Sequence, residues 1–375
     1  MNKLLLLGSV VSPCPPLLQG GTERVAYYQA KQLAKRGVPL LFVGAPGTVD
    51  NFSKQLEIEH EEQSSTILKA IEFIEIGGGT AHGNQEDKKI MNPSQTEASR
   101  LLRLEMVHLA QVLSLMDDRR NDYAAILTKM RGEAVFLSTA RMLGKPIIPV
   151  MHLNVFAELA SLFQKYQTPI ITISHAQQTS FPSLSYLDTI YNPVHIESLP
   201  YNPTPRNYAL MMGTIGFHKN QKDAITACKL AGMPLILAGK IRDQDYFNRE
   251  IKPHIDGKTV TYHGELEFGV KLKLYREARV FLFPVTWQEP FGLVLIEALA
   301  CGTPVIAYPH GGPAEIVQEG VTGFLVRSPE QIAEKIGLLN TIDRSACRKD
   351  AQERFSDHII GEQYYTTLIP FLNHE

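Results

Sequence analysis

Two glutamates, Glu289 and Glu297, are separated by the seven residues PFGLVLI, a run without a polar side chain. Pro290 directly after Glu289, and Gly302-Thr303-Pro304 further on, limit any helix here to about residues 291–301. The first turn of such a helix offers unpaired backbone N–H groups and the positive end of the helix dipole, which suits a phosphate. Glu289 then sits at the mouth of the helix and Glu297 roughly two turns further along. A second glycine turn, Gly311-Gly312, opens another short helix, and Glu315 in its first turn is a third acid favoured by a helix dipole.

Other residues have the right types for chemistry on an anion or a hydroxyl. Lys219, in the loop MGTIGFHKN before a helix, carries a charge that neutralises a phosphate. Gly20-Gly21-Thr22 follows the first apolar run and opens a helix, so backbone there can approach an anion closely. No GxGxxG occurs at that point, which argues against a nicotinamide dinucleotide enzyme. His152 falls just after the run PIIPV, where a strand would end, and can hydrogen-bond a hydroxyl or a developing charge; Asn154 can serve in the same way.

These residues need elements to position them, and the apolar runs supply strands. LLLLGSVV, PLLFVGA, YAAIL, PIIPVMH and PIITIS in the first half lack polar alternation and are separated by helical patterns, and the alternation of strand and helix restarts with YALMMG, PLILAG, TVTYHG, VFLFPV and PVIAY. That order predicts parallel sheets covered on both faces. A chain of 375 residues is too long for one ordinary core, and two domains are expected. The stretch 191–208 has four prolines in eighteen residues and no helical stripe, which marks it as the linker. The expected boundaries are 1–193, 194–355, and a terminal segment 356–375 that forms a helix crossing back to the first domain. Residues 51–92 are charged, weakly periodic and contain Gly77-Gly78-Gly79, so they read as an insertion with little regular structure. Two open α/β domains joined this way bind ligands in the cleft at the carboxyl ends of their strands.

Bulk composition excludes several classes of partner. With 37 basic against 39 acidic residues and an isoelectric point near 6.6, no long-range field attracts nucleic acid or an anionic membrane. No apolar run is long enough to span a bilayer, and MNKLLLLGSVVSPC reads as a buried strand feeding a loop rather than a leader. Cys14, Cys228, Cys301 and Cys347 are far apart with no CxxC pairing, which predicts reduced structural thiols in a cytoplasmic protein and no metal site.

EPFGLVLIEALACGTPVIA, followed by GGPAEIV and GVTGFLV, resembles the E-x7-E block of retaining glycosyltransferases with the GT-B fold, family 4. GGTERVAYYQAKQLAKRG, the strand-end His152, HKNQKDAI, and YHGEL followed by LYREARVFLFPV extend the resemblance over most of the chain. It implies a GT-B fold of two Rossmann-like domains facing each other across a cleft, with the C-terminal helix packing back on the first. It also implies transfer of a sugar from a UDP, GDP or ADP sugar to an acceptor hydroxyl, with retention and without a metal or other cofactor. By similarity, Glu289 contacts sugar hydroxyls and Glu297 the ribose. The backbone N–H groups of Phe291, Gly292, Leu293 and Val294 meet sugar and phosphate oxygens. Lys219 stabilises the departing diphosphate, Gly21 lies beside it, and His152 lies near the sugar C6. The acceptor, whether small molecule, saccharide or lipid-linked, is not specified.

Two positions depart from the family pattern. Thr214 stands where an arginine is usual, directly after Gly213, and Arg242 in LAGKIRDQ is the nearest candidate to replace its charge. Leu127-Thr128-Lys129 occupies a strand end where relatives often carry histidine, so acceptor contacts are expected to be particular to this chain. A phosphorylase or nucleotide-sugar epimerase of the same fold, and a non-catalytic nucleotide-sugar-binding subunit, are the competing readings.

Overall fold

The computed structural model describes residues 2–16, 20–77 and 95–373, the side chains of the last stretch from residue 102 onward. The chain divides into two compact units. The first comprises Met1–Ile173, Ser180–Ile190 and Gly361–Glu375; the second comprises Ser174–Thr179 and Tyr191–Ile360.

The first unit alternates strand and helix as β1 (Lys3–Leu7), α1 (Gly21–Lys35), β2 (Leu40–Gly44), α2 (Thr48–Ile58), α3 (Ser64–Ala70), β3 (Ile71–Glu75), α4 (Gln95–Asp118), β4 (Tyr123–Thr128), α5 (Glu133–Met142), β5 (Ile147–Met151), α6 (Ala157–Tyr166), β6 (Ile170–Thr172) and β7 (Tyr186–Thr189). The strands pair in parallel in the order β3-β2-β1-β4-β5-β6-β7. Leu4 to Leu7 of β1 are fully buried, as expected for a central strand with helices on both faces. The order reverses between β1 and β4. In an open sheet of this kind, ligands bind at the carboxyl ends beside that reversal.

Residues 51–76 are regular, contrary to the sequence expectation of irregular insertion. Phe52 and Leu56 on α2 and Ile67 on α3 are fully buried and anchor two helices whose outer faces are polar. IEFIE then forms β3, a sheet-edge strand with only Ile71 buried. Its alternation of apolar and acidic residues was hidden by the charge around it. Residues 78–94, including two glycines of the cluster, lie outside the described residues.

The second unit runs β8 (Ala209–Met212), α7 (Gln221–Ala231), β9 (Leu235–Ala238), α8 (Gln244–Tyr246), β10 (Val260–Tyr262), α9 (Phe268–Glu277), β11 (Val280–Phe283), α10 (Leu293–Ala300), β12 (Val305–Ala307), α11 (Pro313–Ile316), β13 (Gly323–Leu325), α12 (Pro329–Gly337), α13 (Arg344–Phe355) and the first turn of α14 (Asp357–Leu372). Its parallel sheet has the order β10-β9-β8-β11-β12-β13, with the reversal between β8 and β11. The proline-rich stretch 191–208 is packed rather than loose. Val194, Ile196 and Leu199 are buried, and Val194 exchanges backbone hydrogen bonds with Phe355 and Asp357.

From Gly361 on, α14 packs within the first unit. Tyr364 and Leu368 are fully buried, Thr367 donates to Asp188 at 2.8 Å, Arg36 pairs with Glu362 at 2.8 Å, and the Leu372 carbonyl accepts from the Asn2 N–H at 3.3 Å. The return to the first unit therefore starts a few residues later than the expected 356. All four cysteines are buried and unpaired with one another. No helix among the described residues is long and apolar enough to cross a membrane.

Candidate functional site

The loops after β8 and β11 flank the reversal point of the second sheet, and they carry Lys219 and Glu289. Lys219 lies in a short 3-10 turn, Phe217–Lys219, that ends at Asn220 in the left-handed conformation and leads into α7. Its Nζ donates to Glu289 Oε2 at 2.5 Å, and the two side chains are only 16% and 13% exposed. The ammonium also lies 5.4 Å from the Phe283 ring centre and 5.3 Å from that of Trp287, so two aromatic faces share in stabilising it. Trp287 Nε1 donates to the same Glu289 oxygen at 2.9 Å.

The backbone of Glu289 is clamped as well. Its N–H donates to the His310 carbonyl at 3.1 Å and its carbonyl accepts from Gly312 at 2.8 Å. This explains the Gly311-Gly312 pair, which had been read as a second helix-mouth signal. A Cβ on Gly311 would lie 2.2 Å from the Glu289 carbonyl oxygen, and one on Gly312 would lie 2.5 Å from the Phe291 backbone. The two glycines let one loop hold the other.

α10 starts at Leu293, two residues later than expected, because Gly292 precedes it at φ 110°, a left-handed conformation that no helix continues through. The first-turn N–H groups of Leu293 and Val294 have no acceptor within the helix and donate to no protein group among the described residues. Phe291 is buried against Tyr191 and Phe355, so it contributes its backbone to this mouth while its ring fills the core. Leu293 and Val294 are half-buried.

Glu297, on the next turn and a half, is 9% exposed. Its Oε2 accepts from Tyr275 OH at 2.9 Å and from Lys271 Nζ at 2.7 Å. Lys271 and Tyr275 are four apart on α9 and so share a face. Burial, and then the neighbouring Glu297 charge, push the Tyr275 phenol up, which keeps it a donor. In both glutamates Oε2 is held by the protein, while Oε1 has no donor among the described residues.

Thr214 brings no charge to this loop. It is half-buried, and its carbonyl accepts from the Gln221 amide at 3.0 Å. Arg242 lies on the adjoining loop, exposed, with its N–H donating to Ile215 at 3.1 Å. Its charge acts at His218, beside Lys219. Burial, then Lys219 and Arg242, lower the His218 pKa against opposition from Glu289 and Asp243, which favours the neutral ring. Glu315 does more than favour a helix dipole. Its carboxylate accepts from the N–H groups of His175 and Ala176 at 3.0 and 2.7 Å and from Tyr191 OH at 3.1 Å, which fastens the Ser174–Thr179 segment into this unit.

In the first unit, Gly20 precedes α1 and Gly21 begins it, exposed. His152 directly follows β5, as expected, and Asn154 is half-buried in the same loop. The His152 Nε2 is shielded from solvent and has no hydrogen-bond partner among the described residues. Burial and the nearby Lys129 bring its pKa down to about 3. Lys129 itself, directly after β4, is 6% exposed with no hydrogen-bond partner for its Nζ among the described residues. Sequence reasoning noted this lysine as a departure but gave it no part; Trp287, Lys271 and Tyr275 were missed altogether, since nothing in their local spacing signals contact with Glu289 or Glu297.

Two parallel α/β units with this topology, and with paired acids around an open helix mouth at one reversal point, define a protein of GT-B architecture. Residues 200–354 match the family model Glycosyl transferases group 1. Over 99 residues the chain is 32% identical to spore coat protein SA of Bacillus subtilis, a match covering 24% of this chain and 26% of that protein. Over 182 residues it is 30% identical to glycogen synthase of Mycobacterium tuberculosis, covering 46% of this chain and 44% of that one. The chain thus spans less than half the length of these curated relatives. Among solved structures, Anabaena Alr3699/HepE in complex with UDP and glucose superposes with a TM-score of 0.69 at 21% identity, covering 98% of this chain and all of the other.

Proposed function

We propose that this protein transfers a glycosyl group, with retention of anomeric configuration, from a nucleoside-diphosphate sugar held by the second unit to an acceptor hydroxyl. The observation that carries this reading is the pair of glutamates around the α10 mouth, each with one oxygen anchored and one left for a hydroxyl. Glu297 Oε1 takes the ribose hydroxyls and Glu289 Oε1 a hydroxyl of the sugar. The diphosphate accepts from the N–H groups of Gly292, Leu293 and Val294 and from the N–H bonds of Lys219 that Glu289 does not use.

The bond from C1 to the diphosphate oxygen breaks and the acceptor oxygen bonds to C1 from the same face. The departing phosphate takes the acceptor proton, so no protein base is required. The ammonium and the helix N-terminus stabilise the leaving charge in a preformed arrangement, the role a metal plays elsewhere. Arg242 supplies the second positive charge that Thr214 lacks. The family match over 200–354 and the UDP and glucose in the Anabaena protein support this reading and make UDP-glucose the first donor to try, before GDP and ADP sugars. We place the activity in the cytoplasm, where four buried thiols stay reduced.

The test is a melting screen with UDP, GDP and ADP, followed by product analysis. One nucleotide raises the melting temperature, Glu297→Ala removes most of that rise, transfer persists in EDTA, and the product anomer matches the donor. No rise with any nucleotide sinks the proposal. A rise with neither transfer nor slow donor hydrolysis favours the non-catalytic binding subunit, a reading that Thr214 keeps open; release of sugar 1-phosphate or an epimer favours the phosphorylase or epimerase.

A further inference from the structure

The first unit contains a cavity of about 200 Å³ at the carboxyl ends of β1, β4 and β5, beside the reversal point of its sheet. Its walls include Ser9, Glu23, Glu105, Lys129, Glu133 and His152. The acids on these walls are already served. Glu23 accepts from the Ser9 hydroxyl at 3.1 Å, Glu105 pairs with Arg131 at 3.4 Å, and Glu133 accepts backbone N–H groups at the start of α5. Arg131 is thereby taken up, but Lys129 and His152 are not: Lys129 Nζ and His152 Nε2 are both buried and lack any hydrogen-bond partner among the described residues.

A buried ammonium without a partner is costly, and a methionine would fill the same volume without that cost. The ionisable neighbour that favours its charge, Cys14, is itself held protonated, since burial pushes that thiol far up. Burial alone brings the Lys129 amine down to about 7, so an incoming negative charge would both protonate it and satisfy it. What the cavity has in excess is donors, and the group that takes donors and returns charge is an anion.

We propose that this cavity binds a carboxylate or phosphate borne by the acceptor, with Lys129 as its counter-charge and His152 as a second donor. That the anion belongs to an acceptor rests on the glycosyltransferase reading; that the cavity takes an anion rests on the cavity alone.

The experiment titrates the full chain with glucuronate, glucose 6-phosphate, inorganic phosphate and neutral glucose, with and without saturating UDP. Glucuronate or glucose 6-phosphate binds at least tenfold more tightly than glucose, and Lys129→Met removes that preference. Which of the two binds tells carboxylate from phosphate. Reductive methylation of the unaltered protein gives the same answer without a variant, because the preferred anion protects Lys129 when its peptide mass is read. Equal binding of charged and neutral sugars, or an anion preference that survives Lys129→Met with Lys129 unprotected, overturns the proposal. A UDP-induced melting shift without anion binding refutes this inference alone, whereas Lys129-dependent anion binding without a UDP shift refutes the donor assignment alone.

Discussion

The Lys219–Glu289 pair is the contact on which stability and ligand binding should separate most cleanly. Exposed ion pairs contribute about 0–1 kcal/mol, while removing one partner of a buried pair costs about 3–5 kcal/mol. At 16% and 13% exposure this pair lies nearer the buried limit. Lys219→Met or Glu289→Gln should each cost about 2–3 kcal/mol, or about 4–12 °C for a unit of this size. The double substitution should cost no more than either single one, instead of their sum, for a coupling of about 2–3 kcal/mol in a double-mutant cycle. Trp287 is the single tryptophan of the chain and bonds to the same carboxylate, so its fluorescence during urea unfolding reports this unit directly. Nucleotide binding should behave differently: Lys219→Met loses the UDP shift and the double variant does not recover it. A coupling below about 0.5 kcal/mol, the scatter expected of independent sites, would refute the claim that the two residues act as a desolvated pair.

Other predictions follow from packing and from proton linkage. Gly311→Ala places a Cβ 2.2 Å from the Glu289 carbonyl at a φ of +79°; calorimetry should show a loss of about 2–3 kcal/mol, with nucleotide binding lost as well. Gly337→Ala, at the end of α12 with open space around it, should instead stabilise by about 0.5–1 kcal/mol. Lys31 and Glu59 form a pair whose side chains are 0% exposed, and Lys31→Met should cost about 3–5 kcal/mol in chemical denaturation, partly recovered by adding Glu59→Gln. Because the Lys129 pKa falls from 10.5 to about 7 on folding, the unfolded chain holds the extra proton between those values. Stability therefore rises with pH across that window, and Lys129→Met flattens this part of the curve. His152 repeats the pattern in acid: its pKa drops from 6.5 to about 3, so stability declines as pH falls from 6.5 towards 3, and His152→Ala lessens the decline.

Much of the second unit was legible because its signals are local. Pro290 and the Gly302-Thr303-Pro304 stop delimit α10 to within two residues at its start, where Gly292 delays it, and unbroken apolar runs mark β8, β11 and β12 as buried strands. What could not be read depends on partners distant in the chain. Glu289 gives no sign that Lys219, seventy residues earlier, neutralises it, nor does Glu297 reveal the Tyr275 hydroxyl. β3 and β7 were passed over because edge strands keep polar residues, and β13 because three residues are too few to show a period. Lys129 stood in the sequence only as part of a strand end that departs from the family pattern, and its burial near His152 is what gives it a part.

The path of the chain between its two units has a consequence for how the protein can be cut or recombined. It passes from one to the other four times, at 173/174, 179/180, 190/191 and 360/361. Neither unit is a continuous segment. A fragment spanning only 200–354 would strand the Glu315 carboxylate without the two N–H groups of His175 and Ala176, and a first half ending at 193 would lack the helix that covers Gln32 and Asp188. Recombination with a relative by swapping whole halves is therefore obstructed. A chimaera that keeps each unit whole would carry four joints, with Ser174–Thr179 travelling with the second unit and Ser180–Ile190 and Gly361–Glu375 with the first.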